Sequence, residues 1–292
     1  MRVLTGLLCS LALLCSLALL ANVAHAQANC ADATDQAAMT ACADRAYKKS
    51  DGELNRTYQA VTARLHDARP LAGFSLDTSG FELIQHRGTL KDWGQFQDAE
   101  RVKALDYPEV IAALKVHTGA DKVVLFDHTL RDSSATPGNP QLREAVRRVH
   151  DDQTLESAPR RVAKHLSAAE AAWRLQRRFA IVNFWRPIGG PVLKTPLAVC
   201  DARTIEKGDL IPSDLVYRDW TGETYAVSYN PRHQWYWYPR QAPYEATLLK
   251  IYDSATDGRA RLTAHTAFDD PSSAADAPAR RSIEVRALLF WL

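Results

Sequence analysis

The second half of the chain is cut into strand-length pieces, and this limits the fold more than any other feature. From Val149 onward, apolar, aromatic and β-branched segments alternate with turn-forming residues, at 149–154, 179–185, 196–201, 215–220, 223–229, 233–239, 246–253, 260–266 and 282–291. Segments of this length bounded by Gly, Pro, Asn and Asp read as β-strands. Only one helix-like stretch, Ala163 to Gln176, interrupts them. Parallel strands would need a long crossover at every step. The pattern therefore favours a sandwich or jelly roll over βαβ units. In the last segment Ile283, Val285, Ala287, Leu289 and Trp291 alternate with Glu284 and Arg286, so the two sets occupy opposite faces. We expect a mainly β protein with flanking helices, built on a double-stranded β-helix (jelly roll, cupin-like) core.

Ahead of these segments the organisation changes twice. Leu7 to Leu20 is apolar apart from Ser10 and Ser16, follows Arg2, and ends near Ala24-His25-Ala26, a small-x-small cleavage pattern. Residues 1–26 read as a signal peptide rather than a membrane anchor, the apolar run being short against about 20 spanning residues. Residues 27–65 read as helical, with Met39, Cys42, Ala46, Tyr58, Val61 and Leu65 at helical spacings. His66-Asp67-Ala68-Arg69-Pro70 opens the third region, 66–292. There, 73–82 reads as strand and turn, Arg101 to His117 as a helix interrupted near Tyr107-Pro108 and closed by Gly119, Val123 to Phe126 as a short strand, and Arg131 to Pro140 as a loop.

At 292 residues with 46% hydrophobic residues, the chain has enough material for a large core. Its net charge of +2 and scattered arginines give no basis for a nucleic acid or anionic membrane partner. Loss of residues 1–26 leaves Cys30, Cys42 and Cys200, an odd number. Cys30 and Cys42 are close enough in sequence for a local disulfide after export, and Cys200 reads as a buried thiol. The export signal places the protein in the periplasm or outside the cell; a product starting downstream would be cytoplasmic.

The chemistry concentrates at Val149-His150-Asp151-Asp152-Gln153-Thr154. On a strand, His150 and Asp152 share a face while Asp151 points away. With a second imidazole from His265, they would form a 2-His-1-carboxylate triad, which suits non-haem Fe(II) and leaves open positions. A 2-oxo acid would chelate such a metal and leave room for dioxygen. Its far carboxylate would need a cation and a hydroxyl, and Arg280 and Ser282 share a face to provide them. Arg131-x-Ser133 repeats that pattern but falls in the expected loop. Asp127-His128 is a rival pair whose neighbours would face opposite sides. Asp269-Asp270-Pro271 reads as turn chemistry. Trp235-Tyr236-Trp237-Tyr238 reads as core packing in preference to a pocket wall.

Two family resemblances attach to these residues. Cys30, Cys42-Ala43, Tyr47, Asp51-Gly52-Glu53-Leu54-Asn55 and Tyr58 resemble part of the lysozyme-inhibitor LprI family, without that family's later half. From His66 to Leu292 the chain resembles the CmcJ/AsaB-like hydroxylase/desaturase family. This second resemblance rests on HDARP at 66, VLFDHTLR at 124, VHDDQT at 149, NFWRPI at 183, Asp214-Leu215-Val216, Tyr252-Asp253-Ser254, HTAFDDP at 265 and RSIEVR at 281. It implies an iron- and 2-oxoglutarate-dependent oxygenase acting on a small molecule with dioxygen. His150, Asp152 and His265 would hold Fe(II), Arg280 and Ser282 would bind the co-substrate, and Asn183, Trp185 and Arg186 would line its pocket. Some members carry a methyltransferase label, but this chain shows no glycine-rich nucleotide motif. The competing readings are an exported binding protein whose LprI-like helices meet an unknown protein partner, and a cupin-type metalloprotein without oxygen chemistry.

Overall fold

The computed structural model describes residues 65–69, 73–135, 142–216 and 221–292. The expected signal peptide, the Cys30–Cys42 pair and the N-terminal helical segment up to residue 64 lie outside them. The described residues form strands β1 (His66–Asp67), β2 (Phe81–Gln85), β3 (Lys122–Asp132), β4 (His150–Asp151), β5 (Phe179–Pro187) and β6 (Leu197–Cys200). They continue with β7 (Leu210–Val216), β8 (Thr221–Val227), β9 (Trp235–Trp237), β10 (Glu245–Asp253), β11 (His265–Ala267) and β12 (Arg281–Phe290). The main helices are α1 (Tyr107–Thr118), α2 (Ser157–His165) and α3 (Ala168–Arg174).

Two sheets result, one ordered β1-β9-β6-β11-β4-β8-β7 and the other β2-β10-β5-β12-β3. Every pairing but β1 with β9 is antiparallel, giving the expected jelly roll. The smaller sheet is buried on both faces. Ala180, Val182, Phe184, Ile283, Val285, Ala287 and Leu289 pack outward against Val110 and Leu114 of α1. Phe179, Ile181, Trp185, Leu249, Ile251, Leu288 and Phe290 turn inward and meet Val199 of the larger sheet and Ala158 and Val162 of α2. Burial on both sides explains why β5 and β10 read as unbroken apolar runs.

Several boundaries move from those read in the sequence, each for a local reason. The stretch 149–154 pairs only at His150 and Asp151, because Thr154 Oγ1 accepts from the backbone N–H groups of Glu156 and Ser157 and starts α2. The helix expected at 163–176 is two helices, parted where Ser167 caps the second through Glu170 N–H. The break near Pro108 is a π-helical turn over Val102–Asp106, which runs into α1. Gly119 ends α1 in the left-handed region at φ 67°, as the sequence indicates. The strand expected from 215 begins earlier, at Leu210, and residues 217–220 lie outside the described set. The loop expected at 131–140 is corrected at its start: β3 runs on to Asp132, placing Arg131 inside a sheet.

Arg186 lies on the outer face of β5, away from Asn183 and Trp185. Its guanidinium forms a very short ion pair with Asp106 and sits 4.9 Å from the centre of the Phe96 ring. His86 and Glu109 complete this cluster, and their polar atoms would stand 3.0–3.1 Å from a Cβ placed on Gly88. The cation between these carboxylates is Arg186 itself. Removing one member of a buried pair strands the other charge, at a cost of about 3–5 kcal/mol. Arg186→Met is therefore expected to lower unfolding stability by that amount in urea, and Arg186→Met/Asp106→Leu to regain much of it.

Burial, then the nearby Arg186 charge, hold His86 down at about 4 against an ordinary 6.5. The unfolded chain takes up that proton first, so His86 destabilises the fold as pH falls from 6.5 towards 4. Over that window the urea midpoint should fall more steeply for the native protein than for His86→Gln.

Candidate metal centre between the two sheets

His150 and His265 are cross-strand partners, since β11 pairs with β4 at this one register position. Directly opposed residues share a face, and the ring centroids lie 4.4 Å apart. Asp152, two residues beyond His150, comes to the same place, its Oδ1 3.4 Å from His150 Nε2. One donor atom from each of the three residues lies within 4.8 Å of the others. Asp151 points elsewhere and is fully buried. Burial first, and the Asp152 charge second, raise its carboxyl well above the usual range.

The electrostatics prepare these groups for a cation. His150 Nδ1–H donates to the Arg148 carbonyl at 2.7 Å, leaving Nε2 with its lone pair. His265 Nδ1 faces the Thr263 carbonyl at 3.5 Å in the same manner. Burial, then the neighbouring His150, lower His265 to about 4, so it is neutral near pH 7. Burial works against the Asp152 charge, but the polar groups around it, the Arg286 guanidinium among them, outweigh it and hold the carboxyl well below its ordinary range. Two imidazoles and one carboxylate fit a divalent metal.

The smaller sheet supplies the opposite wall. Ser282, Glu284 and Arg286 turn inward on β12, paired with Pro187, Trp185 and Asn183 on β5 and with Arg131, Thr129 and Asp127 on β3. Asn183 Nδ2–H donates to Asp152 Oδ2 at 2.8 Å, and Arg286 Nε approaches the same oxygen at 3.4 Å. Arg280 is buried over Trp185, its guanidinium 5.4 Å from the ring centre. Arg280 Nη1–H donates to the carbonyl of Thr195, a β-branched residue held at φ 53°. Arg280 Nε and Ser282 Oγ are buried without a partner. Burial, then the positive Arg131, depress the Arg280 pKa. Unmet buried donors beside two cations fit a carboxylate ligand.

Of the residues singled out in the sequence, His150, Asp152, His265, Arg280, Ser282, Asn183 and Trp185 all face this interior. Arg186 does not, because alternation along β5 turns it to the outer face against Asp106. Arg131-x-Ser133, expected in a loop, is adjacent after all: Arg131 is opposite Ser282, and Ser133 Oγ accepts from Arg280 N–H. Sequence reasoning also missed Glu284, Arg286, Asp127 and Thr129 as inward residues. Their parity with Ser282 along β12, and the pairing of β12 with β3, was the available signal. Asp127 and His128 do face opposite sides, towards Arg286 and Tyr107 respectively. Cys200 is a buried free thiol.

Two imidazoles and a carboxylate converging inside a jelly roll are the donor set of non-haem iron oxygenases. The comparisons with known proteins lead to the same class. A family model, YDMC, described as Oxidoreductase/YMDC permease-like domain, matches residues 29–290. Hydroxylase/desaturase efuI of Hormonema carpetanum is 34% identical over 272 residues, covering 82% of this chain and 87% of its own length. Fe(II)/2-oxoglutarate-dependent dioxygenase nvfI of Aspergillus novofumigatus is 35% identical, covering 83% and 88%. The solved structure of the iron and alpha-ketoglutarate-dependent endoperoxidase NvfI superimposes with a TM-score of 0.71 over 77% of this chain and 84% of that one, at 34% identity. The chain belongs to the family of Fe(II)/2-oxoglutarate-dependent hydroxylase/desaturases.

The contrast between adjacent aspartates gives a direct test. Asp152→Ala should weaken Co(II) binding, followed by its visible absorption, by more than the roughly 10–100-fold typical of losing a residue that only supports a ligand. Asp151→Asn should bind Co(II) as the native protein does.

Proposed function

We propose that His150, Asp152 and His265 hold Fe(II), that Arg280 and Ser282 receive the far carboxylate of 2-oxoglutarate, and that the protein hydroxylates or desaturates a small organic molecule of the secondary-metabolite kind. The observation that carries this reading is the cross-strand pairing of His150 with His265, with Asp152 brought alongside. Bound iron, 2-oxoglutarate and dioxygen supply the oxidising power to break a C–H bond, with succinate and carbon dioxide as co-products.

The chain's own residues position and enclose. The Arg148 carbonyl fixes the His150 tautomer, so that Nε2 faces the centre. Thr195 and the Trp185 ring hold the Arg280 fork in a buried, preorganised orientation. A guanidinium and a hydroxyl two residues apart match a carboxylate's two oxygens. A cavity of about 170 Å³ has Asp152 in its wall beside Gln153, Ser157, Arg161 and Thr224, and this is the approach we assign to the organic substrate. On residues 1–26 alone, we further propose export to the periplasm or beyond, which N-terminal sequencing of the native protein would test.

Anaerobic addition of Fe(II) and 2-oxoglutarate should produce the weak visible band of the iron chelate, and His150→Ala should abolish it. Admission of dioxygen should release succinate. Absence of the band in the native protein, or its survival in His150→Ala, would overturn the proposal. Arg280→Met should raise the 2-oxoglutarate concentration needed for half the band by about 10–100-fold, the range for losing a hydrogen bond to a charged group.

A further inference from the structure

We propose that Asn183 and Arg286 are positioning residues that keep one oxygen of Asp152 away from the metal, so that the carboxylate ligates through Oδ1 alone. The inference rests on Asp152 being a metal ligand, as proposed above. The two carboxylate oxygens are already divided between different neighbours. Oδ1 lies beside His150 Nε2 at 3.4 Å, on the side where the donors converge. Oδ2 receives Asn183 Nδ2–H at 2.8 Å and Arg286 Nε–H at 3.4 Å.

Both donors come from the opposite sheet, where Asn183 and Arg286 are direct cross-strand partners. Asn183 is fully buried, and its amide nitrogen must face Asp152, because its oxygen would repel a carboxylate. Arg286 is anchored on every side. Its Nη1 reaches Asp127 at 3.0 Å and Thr129 Oγ1 at 3.1 Å, while its Nη2 pairs closely with Glu284. A guanidinium tied at three other points does not follow Asp152 if the carboxylate rotates. The pair therefore acts as a fixed clamp on one oxygen.

The consequence is a matter of coordination number. Two imidazoles and a carboxylate binding through one oxygen would give a six-coordinate metal three protein ligands, which would leave room for a 2-oxo acid chelate and for dioxygen. A carboxylate is equally able to take two positions. If Asp152 did so, the chelate would complete the shell and no position would remain. Asn183, which its motif places among the co-substrate residues, thus serves the metal instead, by keeping a position open.

This role predicts a split that a purely structural one does not. In Asn183→Leu, which keeps the side chain's approximate shape but donates nothing, Fe(II) and 2-oxoglutarate should still bind, giving the chelate band within a few-fold of native concentrations. Nitric oxide, used as a stand-in for dioxygen, should fill the last position poorly. Its paramagnetic resonance signal on the Fe(II)–2-oxoglutarate protein should fall by about tenfold or more, the scale seen when a ligand's supporting residue is lost. Asp127→Asn loosens Arg286 without touching Asp152 and should shift the signal the same way by less; it decides the matter if Asn183→Leu does not fold. Native nitric oxide signals in the folded variants would overturn the clamp. So would parallel loss of metal and nitric oxide binding, since that would make these residues mere supports of the site. If the native protein forms no chelate band, the metal-site reading itself fails and the clamp with it.

Discussion

The structure depends on one cross-strand pair, His150 opposite His265. A two-residue strand, β4, and a three-residue strand, β11, meet at a single register position, and both imidazoles are delivered there. A shift of one residue on either strand would turn its histidine to the other face. Neighbouring strands restrain that slip. Ala198 and Val199 pair with Thr266 and His265 on one side, while Ala226 and Tyr225 pair with His150 and Asp151 on the other. Each of the two short strands is thus held by a second neighbour as well as by the other. Asp152 then needs no ladder of its own, since it leaves β4 on the same face as His150 and is caught by the sheet across the interior.

The interior between the sheets is expensive, and its polar residues explain why it is arranged as it is. Asp152, Glu284, Arg286 and Arg131 all lie within it, and unpaired charges there would be strongly unfavourable. Arg286 is the hub, bonded to Asp127, Thr129 and Glu284 while approaching Asp152. This lattice joins β3, β5 and β12 to the ligand-bearing segment of the larger sheet. Sheet packing and the candidate metal centre are thus one electrostatic problem, in which the groups that hold the wall in place also hold Asp152 in place.

Much of this is legible from the sequence, and the failures have a common physical origin. His150 and Asp152 can be paired because alternation is a local rule, and Asn183 and Trp185 share a parity on β5 for the same reason. Applied consistently, that rule also separates Arg186 from them. The strand ending at Asp132 is hard to follow to its end because Asp127, Thr129 and Arg131, which share one face of it, are polar. Apolar periodicity fails where an interior is lined by polar groups. Likewise, Glu284 and Arg286 are legible as a face opposed to the apolar one, but not as an inward face. Nothing in the residues says that helix α1 will cover the apolar side and leave the charged side facing the other sheet.

Two buried arginines show how charges can be told apart by whether a carboxylate meets them. Arg186, between β5 and the π-helical turn, has one: Asp106 is in contact, an aromatic ring covers its face, and alternation points it away from the centre, although Nε is unpartnered in both arginines. Arg280 is equally buried but has no ion-pair partner among the described residues, only the Thr195 carbonyl, with an unmet Ser282 hydroxyl beside it and a second cation nearby. A fold selected for stability alone would complete such a group or replace it, because a buried unpaired cation costs more than the contacts around it return. A site that must release its anion in every cycle keeps that cation open. By that criterion the chain at Arg280, just before β12, fits the proposed carboxylate ligand, whereas Arg186, which shares a motif with Asn183 and Trp185, is already matched by Asp106.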